Sequence, residues 1–507
     1  MDRLIEELKN NFGYDHFRDG QRTIIEDVMN GRDTLGILPT GTGKSLCYQL
    51  PAHLLKGVTV VVSPLISLMV DQVKQLKAQG IKAVTAINSF MDRNERIRVT
   101  KNLDRYKLIY VSPEMLQNDD IVDGLKRTGV DLFVIDEAHC ISQWGHEFRT
   151  DYLKLHLVIE ELGDPTVLAL SATATPEVQD DILEKLNKPD MNKRIHPMDK
   201  TNISFAVKHV TTPESKLIEI TQLLERTHVP TMIYFSSRQW AERVATELQT
   251  KLNKRIAFYH GGMEQTDRML VQQQFMNDQL DIICCTSAFG MGVDKKNIRL
   301  IIHFHFPPQL ESFIQEIGRA GRDGAASASL LLYAPKDHYL PQMLIESELP
   351  DVNRLPGILN YVERKRGQNG VLPLDEVIIG DLELSESQWN FIHFQMEQAG
   401  MVDNRHIMKP TEDPDFLQKL TMLVQERWTY KQNKLNEMVH WIHETGCRRV
   451  SLYQSFQDNT RLPEVPCCDA CEFDIDEIEW QEVNRTEIAG GTWEERLASI
   501  FGRGVAR

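Results

Sequence analysis

From about residue 31 the chain alternates short runs of β-branched and other apolar residues with longer segments whose apolar positions recur every three or four residues. The runs VTVVVSPLI (58–66), YKLIYVS (106–112), DLFVIDE (131–137) and TVLALSA (166–172) are continuously apolar rather than alternating. A strand that is apolar on both faces is covered on both faces, and helical segments between such strands imply parallel pairing through crossover helices. A second set repeats the rhythm: TMIYFSS (231–237), RIAFYH (255–260), DIICCTS (281–287), RLIIHF (299–304) and ASLLLYA (328–334). The pattern predicts an α/β protein with two successive parallel-sheet domains, 1–205 and 206–342, joined near Pro197–Pro213.

After Tyr333 the strand rhythm stops and helices with short turns are expected. Ser385 with Gln388 three residues on reads as a capping box, with Trp389, Ile392 and Met396 on one face and Gly400 as terminator. MVDNRHIMK (401–409) reads as a small hairpin. Segment 343–412 is thus either a winged-helix-like insertion or a helical spacer. A helical module (413–475) follows, then an acidic tail (476–507) in which TWEERLASIF (492–501) is either a docking helix or a frayed end.

Composition narrows the class. The 507 residues are 41% hydrophobic and 26% charged, which excludes a wholly disordered or collagen-like chain. Lys+Arg 57 against Asp+Glu 73 leaves a net charge of −16, so the molecule is not a basic coat for nucleic acid, although a locally basic groove is compatible with that sum. The start MDRLIEELKNNFGYD has no apolar core behind a basic end, and no run approaches 18 apolar residues. A soluble, cytoplasmic protein with no membrane partner is expected.

LPTGTGKS (38–45) lies between a strand and a helix-compatible segment, as a phosphate-binding loop requires. In such a loop Thr40, Gly41, Thr42 and Gly43 turn backbone N–H groups toward phosphate oxygens, Lys44 neutralises them, and Ser45 offers a hydroxyl to Mg²⁺. A structural turn is the plain alternative. Asp136 and Glu137 end the apolar run DLFVIDE, where open parallel sheets gather their ligands. Asp136 suits Mg²⁺ and Glu137 suits activation of the attacking water. Arg319 and Arg322, in QEIGRAGRDG (315–324), are three apart and are expected on one helical face, reaching a γ-phosphate across a cleft or forming a solvated basic helix start.

With these motifs in hand, the chain over about residues 5–340 resembles a superfamily 2 helicase, and more closely the RecQ family of DEAH-box DNA helicases. The resemblance rests on FGYDHFRDGQ (12–21), the phosphate loop, SPLISLMVDQV (63–73), DEAH, SATAT (171–175), YFSSR (234–238), TSAFGMGVDKKNIR (286–299) and QEIGRAGRDG in this order. It implies two RecA-like domains, with Phe17, Arg18 and Gln21 at the adenine and Gln315 near ATP. It further implies that CISQWGHEFRTDY (140–152) is an aromatic-rich loop whose Trp144, His146, Phe148 and Arg149 meet single-stranded DNA, unless the two aromatics plug a core. Glu147 and Thr150 depart from the family pattern, as does MDKTNI (198–203), which replaces an Arg-Pro-Asn-like element. His260, in YHGGM (259–263), is either a DNA contact or a hydrogen-bonded strand-end residue, and Thr286 resembles a backbone-contacting motif residue.

Eight cysteines are no disulfide framework in a chain this long, but Cys447, Cys467, Cys468 and Cys471 crowd one region. Four late thiols suit a tetrahedral structural Zn²⁺, and the family's zinc module has a similar shape. Adjacent Cys467 and Cys468 make the fourth ligand the open choice, with His443 the competitor. The expected activity is ATP- and Mg²⁺-dependent 3′-to-5′ unwinding of single-strand-tailed or forked DNA in recombination, repair or replication. Single-stranded-DNA-binding protein and repair factors are the expected partners, at the nucleoid. A DNA-bound ATPase scaffold that separates no strands and an RNA helicase are the competing readings.

Overall fold

In the computed structural model, which describes residues 3–142, 150–290, 294–368, 370–403, 405–478 and 480, the apolar runs form two parallel sheets. The first holds β1 (Thr34–Ile37), β2 (Val58–Val62), β3 (Val84–Ile87), β4 (Leu108–Val111), β5 (Val130–Ile135), β6 (Thr166–Ser171) and β7 (Asn192–Ile195). Their spatial order is β3-β4-β2-β5-β6-β1-β7. The second holds β8 (Ile203–His209), β9 (Thr231–Tyr234), β10 (Ile256–Tyr259), β11 (Ile282–Cys285), β12 (Leu300–His303) and β13 (Ser327–Tyr333), ordered β10-β11-β9-β12-β13-β8. The expected boundary at 205/206 falls inside β8, which pairs along its length with β13 from Ile203 onward, so the join is the stretch 196–202.

Burial explains the continuous apolar runs. Along β5, Phe133 and Ile135 enter one core while Leu132 and Val134 enter another on the opposite face. In the second sheet Met232 and Ile283 join the first of these cores, and Ile233 and Ile282 pack into a third. The core shared by both domains also takes in Leu435, Met438 and Trp441 of the 29-residue helix Pro414–Ile442. The two sheets and that helix are therefore one packed unit.

Between them lies a segment with its own apolar core around Trp389, Ile392, Met396, Leu359 and Val424. It runs helix Leu355–Gln368, a single bridge at Val371, helices Asp375–Leu382 and Glu386–Gln398, then the antiparallel pair β14 (Val402–Asp403) and β15 (His406–Ile407), whose His406 pairs with Val371. The Ser385–Gln388 capping box is present in both directions, and Gly400 stops the helix with φ +63°. Lys154 of the first domain, two residues past the aromatic-rich segment 140–152, meets Glu397 at 3.1 Å. Among the described residues no helix is long and apolar enough to cross a membrane.

Candidate nucleotide site and cysteine cluster

The loop 38–45 leaves the end of β1 and enters the helix Leu46–Leu54 at Ser45. Gly41 (φ +85°) and Gly43 (φ +79°) take left-handed backbone that side chains rarely adopt. A Cβ on Gly41 would also lie 2.8 Å from Cγ of Arg322, and a Cβ on Gly318 would overlap Oγ1 of Thr40. The phosphate loop of the first domain and the arginine-bearing turn of the second thus meet closely enough that each side needs a bare backbone.

Asp136 and Glu137 follow β5 directly, and Glu137 has φ +50°, a strained setting for a non-glycine residue beside a cavity. The Glu137 N–H donates to Asp136 Oδ1 at 3.0 Å. His139 Nδ1 lies 3.0 Å from Ser171 Oγ and 3.6 Å from Glu137 Oε2, linking the DEAH and SATAT segments. Burial, with the Glu137 carboxylate adding, pushes the Asp136 carboxyl up to about 7 against the opposing pull of Lys44. A carboxylate held there gains from a cation that the described protein atoms do not fully provide.

Lys44, Asp136 and Glu137 line a cavity of about 260 Å³, together with Ser45, Arg18 and Gln21 from the first domain and Asp294, Lys296, Gln315, Arg319 and Arg322 from the second. Lys44 Nζ, Glu137 Oε2 and Arg319 Nε are buried there without a hydrogen-bond partner among the described residues. Buried polar atoms are normally satisfied, so three orphans around one cavity mark where a polar ligand belongs. The two cations and the carboxylate would suit a polyphosphate with its Mg²⁺: Lys44 and Arg319 would meet its anionic oxygens, and Glu137 would accept from a water beside it.

The remaining expected ATP residues divide. Gln21 Nε2 donates to the carbonyls of Thr42 and Gly43, and Arg18 donates to that of Gly41, so both brace the loop. Thr42 Oγ1 donates back to Pro39. Phe17 packs against the first domain's core and is not among the cavity residues; Phe12 and Tyr14, earlier in the same motif, are the aromatics that line the cavity among the described residues. Arg319 and Arg322 are not on a helical face as expected. The helix Leu310–Ile317 has ended, and both lie in the following turn, where Gly321 has φ +55° and Gly318 must clear Thr40. Arg319 donates to the Gly290 carbonyl and Arg322 to Asp294 at 2.9 Å.

Trp144, His146, Phe148 and Arg149 lie outside the described residues. Just beyond them Tyr152 donates to the Asp136 carbonyl at 3.2 Å, a contact that residue type and spacing did not announce. His260 is 2.7 Å from Glu242 through Nε2, and its Nδ1 accepts from the Gly262 N–H, so its ring is held as a strand-end residue. Thr286 follows β11 and donates its backbone N–H to the Tyr259 carbonyl.

The four cysteines converge, with all Sγ atoms within 4.8 Å of one another and Cys447 to Cys467 at 3.5 Å. Cys447 caps the helix Arg448–Tyr453. Burial pushes its thiol up, but the backbone N–H groups of Val450 and Arg449 and the thiols of Cys467 and Cys471 outweigh this and hold it below the ordinary range. The Arg448 N–H donates to Cys468 Sγ at 3.4 Å. The crowding fits a tetrahedral thiolate site for Zn²⁺. His443 is directed elsewhere, its Nδ1 taken by the Val439 carbonyl at 2.9 Å and its ring against His209 and Tyr333.

Comparison with known proteins agrees with this geometry. Residues 18–182 match the DEAD/DEAH box helicase family and 215–324 the helicase conserved C-terminal domain. The probable ATP-dependent DNA helicase RecS of Bacillus subtilis is 40% identical over 505 residues, covering 99% of this chain and 98% of RecS. The ATP-dependent DNA helicase RecQ of the same organism is 40% identical over 364 residues, 70% of this chain and 61% of RecQ. Among solved structures, the DNA-bound DUF1998 helicase MrfA superposes with TM-score 0.57 at 18% identity, covering 83% of this chain and 63% of MrfA, a likeness of fold.

Proposed function

The chain belongs to the RecQ family of ATP-dependent DNA helicases, and from that premise we propose how its residues divide the work. Lys44 and the N–H groups of Thr40, Gly41, Thr42 and Gly43 bind the β- and γ-phosphates of ATP. Ser45 and Asp136 hold Mg²⁺, which supplies charge neutralisation at the phosphates. Glu137 orients and deprotonates the attacking water. Arg319 and Arg322 neutralise the γ-phosphate from the second domain, and Gln315 lies beside them. Arg18, Gln21 and Tyr14 receive the base. The single observation that carries this reading is the cavity lined by Lys44, Glu137 and Arg319, from two domains, each with a buried polar atom that has no hydrogen-bond partner among the described residues.

Trp144, His146, Phe148 and Arg149 meet single-stranded DNA, and Tyr152 on the Asp136 carbonyl relays its arrival to the carboxylates. Thr286 is a further backbone contact, whereas His260 is structural. Cys447, Cys467, Cys468 and Cys471 hold a structural Zn²⁺. The helix, bridge, two helices and hairpin between 355 and 407 have the order of a winged helix, and this unit abuts DNA at the fork. The protein translocates 3′-to-5′ on DNA in the cytoplasm, at the nucleoid, alongside single-stranded-DNA-binding protein and repair factors.

Displacement of a labelled strand from duplexes carrying a 3′ or a 5′ single-stranded tail tests this assignment. ATP- and Mg²⁺-dependent release from the 3′-tailed substrate is expected. Preferential release from the 5′-tailed one would reverse the polarity, and DNA-stimulated turnover with release from neither would favour the scaffold reading.

A further inference from the structure

The join between the domains does more than connect them. Its residues 199–203 are gripped on the backbone by the cysteine module and grip, with their side chains, the turn that bears the arginines. Lys200 Nζ donates to the carbonyls of Gly318 at 2.9 Å and Ala320 at 2.7 Å, the residues on either side of Arg319. Asn202 Nδ2 donates to Gly321 and Ala325, both at 2.9 Å, so two join residues satisfy four carbonyls across 318–325.

The join cannot follow the turn if the turn drifts, because its own backbone is anchored from the far side. Arg449, 1% exposed and on the helix that Cys447 caps, donates to the Lys200 carbonyl at 2.7 Å and to that of Ile203. Arg461 donates to the buried Asp199 through both backbone and side chain. Cys468 bridges Phe205 at the edge of β8, and the Phe205 N–H donates to the Cys467 carbonyl. On its other side the gripped turn has no slack, since Gly318 abuts Thr40 and Arg322 abuts Gly41. Lys200 and Arg322 line one further cavity of about 620 Å³ beside the phosphate loop, so the lysine lies next to the reacting centre without being among the residues that line the nucleotide cavity.

We propose that Lys200 is a positioning residue for ATP hydrolysis, holding the Gly318 and Ala320 carbonyls so that Arg319 and Arg322 are aimed into the nucleotide cavity. The inference rests on the reading of those two arginines as γ-phosphate ligands. An arginine that must meet a developing charge loses effect when displaced by about an ångström, which can cost on the order of 100-fold in rate.

The test is steady-state ATP turnover of the full chain with saturating single-stranded DNA in Lys200→Met, Lys200→Arg, Arg322→Ala and the double variant Lys200→Met/Arg322→Ala. Lys200→Met keeps the aliphatic stem and removes the donors; its kcat falls about 10–100-fold with KM for ATP and DNA affinity changed by no more than about threefold. Lys200→Arg, which still offers two donors, recovers most of the loss. In the double variant the two losses combine to less than their product, because the lysine acts through the turn that bears both arginines and only its effect on Arg319 is left to lose. Wild-type kcat in Lys200→Met, or losses that multiply in the double variant, overturns the proposal while leaving the arginine reading intact. Wild-type kcat in Arg322→Ala removes the arginine reading and the proposal with it. Should Lys200→Met fail to fold, Lys200→Gln, with one amide donor group, gives the same readout.

Discussion

Lys44, Glu137 and Arg319 share an unusual condition: each lines one cavity and has a buried polar atom with no hydrogen-bond partner among the described residues. Such atoms cost about 1–3 kcal/mol each when left dry, so their persistence is explained by what the cavity receives. Lys44→Ala and Glu137→Gln are expected to lower DNA-stimulated ATP turnover by about 100-fold or more while leaving nucleotide-free binding to single-stranded DNA, measured by fluorescence anisotropy, near wild type. Lys200 carries a pH signature as well. Burial and Arg322, with Arg18 adding and Asp323 opposing, push its amine down to about 7, and a neutral amine has two N–H groups for its two carbonyls. Between that value and the ordinary 10.5 the unfolded chain binds the extra proton, so this residue's contribution to stability rises with pH across the window and is flat below it. Urea unfolding at pH 7 and at pH 10 is expected to show a gain with pH that is smaller in Lys200→Met than in wild type. Lys44, Asp136 and Glu137 were legible from spacing alone, because a phosphate loop and a strand-end carboxylate pair are local patterns. The contacts of Tyr14, Tyr152 and Lys200 were not, since each is made to a carbonyl or a cavity wall that only the tertiary fold supplies.

The parallel strands were legible because both faces of each are buried, which leaves continuous apolar runs. The Ser385 capping box and the 401–409 hairpin were legible through local hydrogen-bonding chemistry. The helix Leu310–Ile317 ends before the two arginines, with Gly318 passing close to Thr40 of the other domain and Gly321 at φ +55°, an inter-domain approach that periodicity does not register. The helix Pro414–Ile442 braces that same element. Lys434 reaches Glu311 at 2.9 Å, both largely buried, and Trp441 stacks near Phe313 at 4.7 Å between ring centres. Removing one partner of a buried pair leaves the other charge uncompensated, at about 3–5 kcal/mol. Lys434→Met is expected to lower the unfolding free energy from urea titration by an amount of that order, with a lower midpoint, and Glu311→Gln/Lys434→Met to recover most of it. A wild-type midpoint in the single variant would show the pair to be solvated.

One core runs through both sheets into the long helix and the cysteine module, so the cleft is closed by packing as well as by polar contacts. The cysteine module lies along the edge of β8 and reaches toward the nucleotide cavity through the join, by way of Arg449 and Lys200. With the Zn²⁺ proposed for the four cysteines, a segment with so little core of its own would draw its fold from the metal. The purified chain is expected to carry one Zn²⁺, and its removal with a thiol reagent and chelator to lower kcat for ATP before DNA binding is lost. A metal-free chain with full turnover would sever that link. The central claim, that ATP is hydrolysed between the two domains with the second supplying cations, is tested most directly by ATP turnover of Arg322→Ala beside wild type at saturating single-stranded DNA. The account predicts a fall of about a thousandfold with KM little changed. Turnover equal to wild type would contradict it.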